Sequence, residues 1–180
     1  MIMSERQAKI EPDFFLLCFM KFIHTSDWHL GRSLCNRPLL DDQAHVLHQI
    51  AAYAQQHAVD ALVIAGDIYD RAVPPAAAVR LLNDFLNRMH GLQIPVVINP
   101  GNHDSADRLG FAATPLERSG VHIIADYQQM LHPVLVSTDI GPVYFHGIPY
   151  SDPEPVRVWS QEPIASYEQA HQSLLQHIRQ

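Results

Sequence analysis

The sequence predicts an α/β fold with largely parallel strand pairing in its first half. Short, branched apolar runs alternate there with longer stretches whose apolar residues recur at helical spacing, as in strands joined by crossover helices. After residue 120 the pattern changes to short strands separated by turns, which indicates a second, more antiparallel sheet. The 180 residues, 47% of them hydrophobic, have room for one domain with a sizeable core.

Three strands and two helices make up the predicted first half. The strands are short apolar runs bounded by polar residues or glycine, at residues 21–25, 61–65 and 94–98. The first helix spans residues 39–57. The second begins at Pro74 and Pro75, because proline suits a first helical turn, and ends at Gly91. Its predicted apolar face consists of Val79, Leu82, Phe85, Leu86 and Met89.

The predicted second half contains two helices and further strands. Asp104 or Ser105 can cap a helix that runs toward Ser119 and Gly120. The strands of the second sheet are expected at residues 121–125, 133–137 and 142–148. A final helix covers residues 164–179.

Charge and cysteine content restrict the classes of function. Twelve Lys and Arg against 19 Asp and Glu give a formal net charge of −7. An extended positively charged surface for nucleic-acid binding is therefore not expected. Contact with phosphate must therefore be local, for example through bound divalent cations. Cys18 and Cys35 form no disulfide framework, which fits a reducing cytoplasm. The apolar run at residues 14–20 is too short to span a bilayer, so no membrane partner is expected, and residues 1–19 are interpreted as an N-terminal extension.

Three predicted strands are followed by loops that carry residues of the metal-ligand type. They are loop 1 (residues 26–29, S-D-W-H), loop 2 (residues 66–70, G-D-I-Y-D) and loop 3 (residues 101–104, G-N-H-D). The carboxyl ends of parallel strands meet at one edge of a sheet, so the loops are expected to converge. Asp27 and His29 are two residues apart, and in extended backbone both would project to the same side.

The same loops predict a centre with two metal ions. Gly66 and Gly101 permit a tight backbone that directs Asp67 and Asn102 inward. Asp67 is the candidate bridge, because its two oxygens can bind different cations. Mixed carboxylate, imidazole and amide ligands favour Mn²⁺, Fe or Zn²⁺; Mn²⁺ is the first choice and Mg²⁺ a further candidate. Two such ions would activate a water and stabilise the oxygens of a phosphodiester during hydrolysis. The alternative is that these residues only cap turns. It does not explain why three loops, each after a predicted strand, all carry residues of the metal-ligand type.

Other polar residues near these loops are given structural roles. Asp70 and Asp104 are expected to cap the helices that follow them, and Trp28 is expected to pack beside the site. Arg32 and Arg37 follow loop 1; they could contact a phosphate backbone or be ordinary surface charges.

The motifs D-x-H, G-D-x-x-D and G-N-H-D, in this order, resemble the calcineurin-like metallophosphoesterase superfamily. Residues 24–31, 65–70 and 100–105 are similar to its SbcD-type DNA exonuclease subunits, from about Met20 to the end of the chain. The resemblance implies a metallophosphoesterase-like β-sandwich flanked by helices and a site for two Mn²⁺ ions. It also implies 3′-to-5′ double-strand exonuclease and single-strand endonuclease activity on DNA, a homodimer, and an SbcC-type SMC-like ATPase partner in a repair and recombination complex.

The resemblance also implies roles by position. Asp27 and His29 would hold the first metal, Asp67 would bridge, and Asn102 would hold the second. His103 would be catalytic, either steering the phosphate or protonating the leaving oxygen.

The family pattern includes a further histidine and a G-H-x-H motif that the 180 residues lack. The metallophosphoesterase domain, residues 20–180, is therefore expected to be incomplete at its C-terminus, with weak metal binding and little activity. His146 ends a strand, but its surroundings match a family segment that precedes the missing histidine. Two other functions stay open: a phosphodiesterase or phosphatase on small nucleotides, and a non-catalytic dimerisation or docking piece.

Overall fold

The computed structural model describes residues 20–139 and 141–180, and the predicted N-terminal extension lies outside this part of the chain. Its strands are β1 (Phe22–Thr25), β2 (Ser33–Leu34), β3 (Arg37–Pro38), β4 (Ala61–Ala65), β5 (Val96–Asn99), β6 (Val121–Ile123), β7 (Val134–Thr138) and β8 (Gly141–Phe145). Its helices are α1 (Leu40–Gln56), α2 (Ala76–Gly91), α3 (Ala106–Leu109), α4 (Ala113–Glu117), α5 (Tyr127–Met130), α6 (Pro153–Ser160) and α7 (Tyr167–Ile178).

A parallel sheet with strand order β1-β4-β5-β6 forms the centre of the fold. Ile64 pairs with Thr25 on one side and with Ile98 on the other, so the ends of β1, β4 and β5 are level. The prediction that the strand at residues 121–125 belongs to the second sheet is wrong. This strand, β6, pairs with β5 in parallel, because Val121 and Ile123 complete the core on the α1 and α2 side of the sheet.

Both faces of the sheet are covered. Along β4, Leu62 and Ile64 point into a core shared with α1 and α2, whereas the intervening strand positions, such as Ala61 in β4 and Val97 in β5, belong to a second core. Strands buried on both faces read as continuous apolar runs, which is the pattern found in the sequence. The predicted α/β class, with a parallel sheet flanked by helices, is confirmed.

Helices α1 and α2 lie close to their predicted bounds, but the buried face of α2 differs from the prediction. Its buried residues are Ala78, Leu82, Phe85 and Met89. Val79 is 44% exposed, so its assignment to the core is wrong. The spacing from Ala78 follows i, i+4, i+7 and i+11, which keeps all four positions on one stripe, and Val79 lies about 100° away from Ala78.

The second core lies under an antiparallel hairpin and the C-terminal helices. Strands β7 and β8 pair from Val134 with Phe145 to Thr138 with Gly141, which confirms the antiparallel pairing predicted for this region. Buried side chains of β7, α6 and α7 join this core. The helix predicted to run from Asp104 toward Ser119 is instead two short helices, because Ala112 adopts a left-handed backbone (φ 61°) between them. Within the described ranges, no helix is both long and apolar enough to cross a membrane.

The packing of α2 makes a testable distinction between two apolar residues of one helix. Leu82→Ala should lower the free energy of unfolding by about 2–5 kcal/mol, because it removes buried methyl groups and leaves a cavity. In the monomer, Val79→Ala should change the free energy of unfolding by no more than about 0.5 kcal/mol, because Val79 is exposed there. Urea unfolding followed by circular dichroism measures both. Equal losses in the two variants would contradict this orientation of α2.

Candidate metal centre

Backbone hydrogen bonds join loops 1 and 2 beyond the end of the sheet. The Asp27 N–H donates to the Gly66 carbonyl over 3.1 Å, and the His29 N–H donates to the Asp67 carbonyl over 2.9 Å. Gly66 in turn donates to the Asn99 carbonyl at the end of β5. These bonds fix the two loops side by side at the carboxyl edge of the sheet, where ligands bind in open α/β folds.

Three of the predicted ligands have left-handed backbones. Asp27, His29 and Asp67 have φ angles of 58°, 45° and 50°. Non-glycine residues seldom adopt this conformation, which costs of the order of 1–2 kcal/mol per residue. The expectation that Asp27 and His29 face one side because the segment is extended is therefore wrong. Their side chains converge because the backbone turns at each of them.

The side chains of these three residues surround one small space. His29 Nε2 lies 3.8 Å from Asp27 Oδ1 and 3.8 Å from Asp67 Oδ2, and the three atoms all lie within 4.8 Å of one another. Atoms bound at about 2.0–2.2 Å to one ion are separated by roughly 3–4 Å, so the spacing fits a shared divalent cation. Two carboxylates this close repel each other unless a cation lies between them.

Asp67 holds a buried position between loops 2 and 3. It is 8% exposed, and its Oδ1 accepts a 3.0 Å hydrogen bond from the His103 N–H, while Oδ2 faces His29. A Cβ atom at Gly101 would overlap Asp67 Oδ1 and the Asp67 backbone nitrogen, so only glycine permits this approach. Oδ1 of Asp67 therefore faces loop 3 and Oδ2 faces His29, and the bridging role of this carboxylate stays a prediction.

Asp70 lies beside this cluster instead of capping a helix, so that expectation is wrong. Helix α2 is preceded by Pro75 and has no side-chain cap. Asp70 Oδ1 lies 3.7 Å from His29 Nδ1 and 3.9 Å from Arg32 Nε. His29, Asp70 and His103 form a second group whose ligand atoms lie within 4.8 Å of one another. His29 Nδ1 is buried and has no hydrogen-bond partner among the described residues, and Asp70 is the carboxylate placed to orient it.

His103 is exposed and held by two contacts. Its Nδ1 lies 3.0 Å from the Asp70 carbonyl, and its ring stands edge to face with His29, with centroids 4.8 Å apart. The hydrogen bond to the Asp70 carbonyl raises the pKa of His103 above its ordinary 6.5, and the carboxylates of Asp67 and Asp70 add to this. The contribution of protonated His103 to the free energy of unfolding is complete below pH 6.5, the ordinary pKa of histidine. It is lost as the pH rises through the higher pKa that His103 has in the folded protein. A larger fraction of this imidazole is therefore protonated at a given pH than in an ordinary histidine.

Asp104 organises the loops and does not cap a helix as expected. Its carboxylate accepts hydrogen bonds from the backbone N–H groups of Ile68 (3.1 Å), Tyr69 (2.9 Å) and Gly101 (2.9 Å). Loop 3 is thereby attached to loop 2. Ser105, the other candidate, caps α3. Burial, together with the charge of Asp104, raises the pKa of Tyr69 to about 12.

Gln43 of α1 supports loop 1 and was not identified from the sequence. Its side-chain amide donates to the Trp28 carbonyl (3.0 Å) and the His29 carbonyl (2.7 Å), and its oxygen accepts from the Gly31 N–H (3.0 Å). A polar residue on the apolar face of α1 is the signal that could have revealed it. Trp28 packs edge to face on Phe85 with centroids 5.1 Å apart, as expected.

The other candidate residues lie around this centre. Asn102 is exposed in loop 3, next to the His103 N–H that binds Asp67. Arg32 is exposed beside Asp70, and Arg37 is exposed in the short β2–β3 hairpin. The ligand role of Asn102 and the phosphate-contact roles of the two arginines stay predictions.

Removal of the Asp104 carboxylate tests its role in loop geometry. Asp104→Ala should lower the free energy of unfolding by about 1–3 kcal/mol, because backbone N–H groups in two loops lose their acceptor. Hydrogen exchange should show faster amide exchange at Ile68, Tyr69 and Gly101. Asp107→Ala, at an exposed position of the neighbouring helix, is the matched control. Unchanged exchange at all three amides in Asp104→Ala would show that the carboxylate does not hold the loops.

Comparison with known proteins identifies a family and a relative with similar sequences. The sequence profile of the calcineurin-like phosphoesterase family matches residues 20–174. The SbcD component of the nuclease SbcCD from Staphylococcus saprophyticus is 34% identical over 163 residues, which cover 89% of this chain and 42% of that protein. The chain therefore spans less than half the length of this relative.

Proposed function

This chain belongs to the calcineurin-like phosphoesterase family, and on that premise we propose that it is the metal-binding part of a DNA nuclease subunit of the SbcCD type. The proposal depends on one observation above all. Atoms of Asp27, His29 and Asp67, from two loops of a parallel sheet, lie within 4.8 Å of one another around a space that fits a cation. The similarity to a component of a nuclease supports DNA as the substrate and an SbcC-type ATPase as the partner.

In this proposal Asp27 and His29 would hold one ion, Asp67 would bridge, and Asn102 would hold a second. Mn²⁺ is the proposed metal, because the ligands combine carboxylate, imidazole and amide groups. When bound, the pair of ions supplies Lewis-acid activation of the phosphodiester and of the attacking water. The protein contributes rigid loops, so that these ligands are positioned before substrate arrives.

His103 supplies the proton in this scheme. The Asp70 carbonyl occupies its Nδ1, so Nε2 is the nitrogen left to donate a proton to the leaving oxygen. The raised pKa of His103 increases the fraction that carries this proton relative to an ordinary histidine. Arg32, and Arg37 further along the same segment, provide the local positive charge that a DNA backbone needs on a chain whose net charge is −7. The cytoplasm is the proposed location.

Replacement of the bridging carboxylate tests the metal centre. Asp67→Asn should abolish the Mn²⁺ binding heat measured by calorimetry, because it removes the charge that offsets two cations. In a protein that also contains the further histidine and the G-H-x-H motif of the family pattern, Asp67→Asn should abolish release of nucleotides from blunt duplex DNA, and His103→Ala should lower that release by about 10²-fold or more while preserving Mn²⁺ binding. Asp107→Asn is the control for loss of one surface charge.

The substrate in this assay separates the two candidate activities. Cleavage of bis-p-nitrophenyl phosphate without release of nucleotides from DNA would favour a phosphodiesterase on small nucleotides. Absence of Mn²⁺ binding by the unmodified chain would contradict the metal centre and leave a docking role.

A homodimer is the proposed assembly, and one exposed apolar patch supports it. Val73, Val79 and Phe111, the last 80% exposed, lie around a groove of about 810 Å³ with Tyr69 and Pro74. Contiguous exposed apolar residues of this kind mark association surfaces. The groove adjoins loop 2 at Tyr69, so a second copy bound there would lie near the candidate metal centre.

A charge placed in this patch tests the assembly. Phe111→Glu should convert the dimer to a monomer in sedimentation velocity, because a carboxylate would be buried without a partner. Val158→Glu, at an exposed valine of α6, should leave the dimer intact. A monomeric wild-type chain, or a Phe111→Glu dimer of undiminished stability, would exclude this patch as the interface.

A further inference from the structure

A pocket of about 340 Å³ lies between loop 1 and α1, next to the candidate metal centre. We call it the side pocket. Its apolar walls include Trp28, Leu39, Val46 and Ile50, and Asp27 lines it as well as the metal centre. The volume is within the range of small-molecule sites, about 300–1,000 Å³. The side pocket therefore adjoins the candidate metal centre at Asp27.

The side pocket is held rigid by contacts that the metal ligands do not require. The Trp28 indole N–H donates to Thr25 Oγ1 over 3.0 Å, and the other side of the ring system packs on Phe85. The three hydrogen bonds of Gln43 fix the backbone of loop 1 against α1. Val46 is half exposed although it is apolar and lies at the pocket wall. A preformed apolar space is thus available without rearrangement.

The charges at its rim restrict what can occupy it. Asp27 and Asp42 both line the side pocket, and two carboxylates disfavour an anionic occupant. A flat, neutral heterocycle matches the apolar walls and the indole. Asp42 can also accept a hydrogen bond from an exocyclic amino group, as carboxylates do in base recognition. The phosphate of the same nucleotide would be drawn to the cations and repelled from the pocket.

We propose that the side pocket binds a nucleobase of the substrate, next to the phosphate held at the metal centre. The proposal rests on the proposed function, because the metal centre places the phosphate. It assigns Val46 and Asp42 roles in substrate binding that the metal chemistry does not include. Bases with an exocyclic amino group bind more tightly than thymine.

The test uses deoxyadenosine, which has the base and no phosphate, so the pocket is probed without metal. In a ¹⁵N-labelled chain the indole N–H resonance of Trp28 should shift on titration and saturate, whereas that of Trp159, outside the pocket, should not. Val46→Phe, which fills the pocket, should weaken binding by about tenfold or more. Val158→Phe, at an exposed valine of α6, should bind like the wild type. Asp42→Leu should remove the preference for deoxyadenosine over thymidine, because leucine has no acceptor for the exocyclic amino group.

The outcomes separate this inference from the proposed function. No Trp28 shift, or an equal shift in Val46→Phe, overturns the nucleobase site even if Mn²⁺ binds. A saturable Trp28 shift that Val46→Phe abolishes supports the site even if calorimetry finds no Mn²⁺ binding. In that case the result contradicts the proposed metal centre and not the nucleobase site.

Discussion

The contact between the Asp67 carboxylate and the backbone of loop 3 is the interaction on which the candidate site depends. Asp67 Oδ1 accepts a hydrogen bond from the His103 N–H. Gly101, which has no side chain, allows the Asp67 carboxylate to come this close to loop 3. This contact acts together with the Asp104 carboxylate, which accepts hydrogen bonds from the Ile68 and Tyr69 N–H groups, to join loops 2 and 3. The Asp67 carboxylate fixes the position of His103 and faces His29 at the same time. The level ends of parallel β4 and β5 make the contact possible.

The site concentrates features that do not favour folding. Asp27, His29 and Asp67 adopt left-handed backbones, and two of them bring carboxylates together beside an imidazole. Such features persist only when the surroundings determine the geometry strongly. Here the surroundings are the Asp104 carboxylate and the two apolar cores on either side of the sheet. The favourable packing of the two cores thus compensates for the strained backbone and the clustered charges at the edge of the sheet. This is a common arrangement in enzyme active sites.

The sequence predicted the features that depend on periodicity and on strand direction. The parallel strands, the bounds of α1 and α2 and the convergence of three loops follow from apolar runs and from the geometry of parallel sheets. It failed where tertiary contacts decide the outcome. The sequence pattern did not distinguish Val79 from Ala78 as the buried residue of α2. Rotation of the helix by one residue position, about 100°, decides which of the two faces the core. Asp70 and Asp104 resemble caps in sequence, yet backbone amides and His29 of distant loops determine where they lie.

Gln43 shows how a supporting residue can be specified by the polarity of its atoms and not by its shape. It donates to two carbonyl groups of loop 1 and accepts from one amide of the same segment. Glutamate is nearly isosteric, but it would place a carboxylate against two carbonyl oxygens. Leucine would remove the hydrogen bonds of the Gly31 N–H and the Trp28 carbonyl, and the His29 carbonyl would keep only the Arg32 N–H. Only a primary amide has both donors and an acceptor at this distance from the helix. The residues that can replace Gln43 are therefore restricted by the directions of its hydrogen bonds, although Gln43 is not among the candidate ligands and carries no charge.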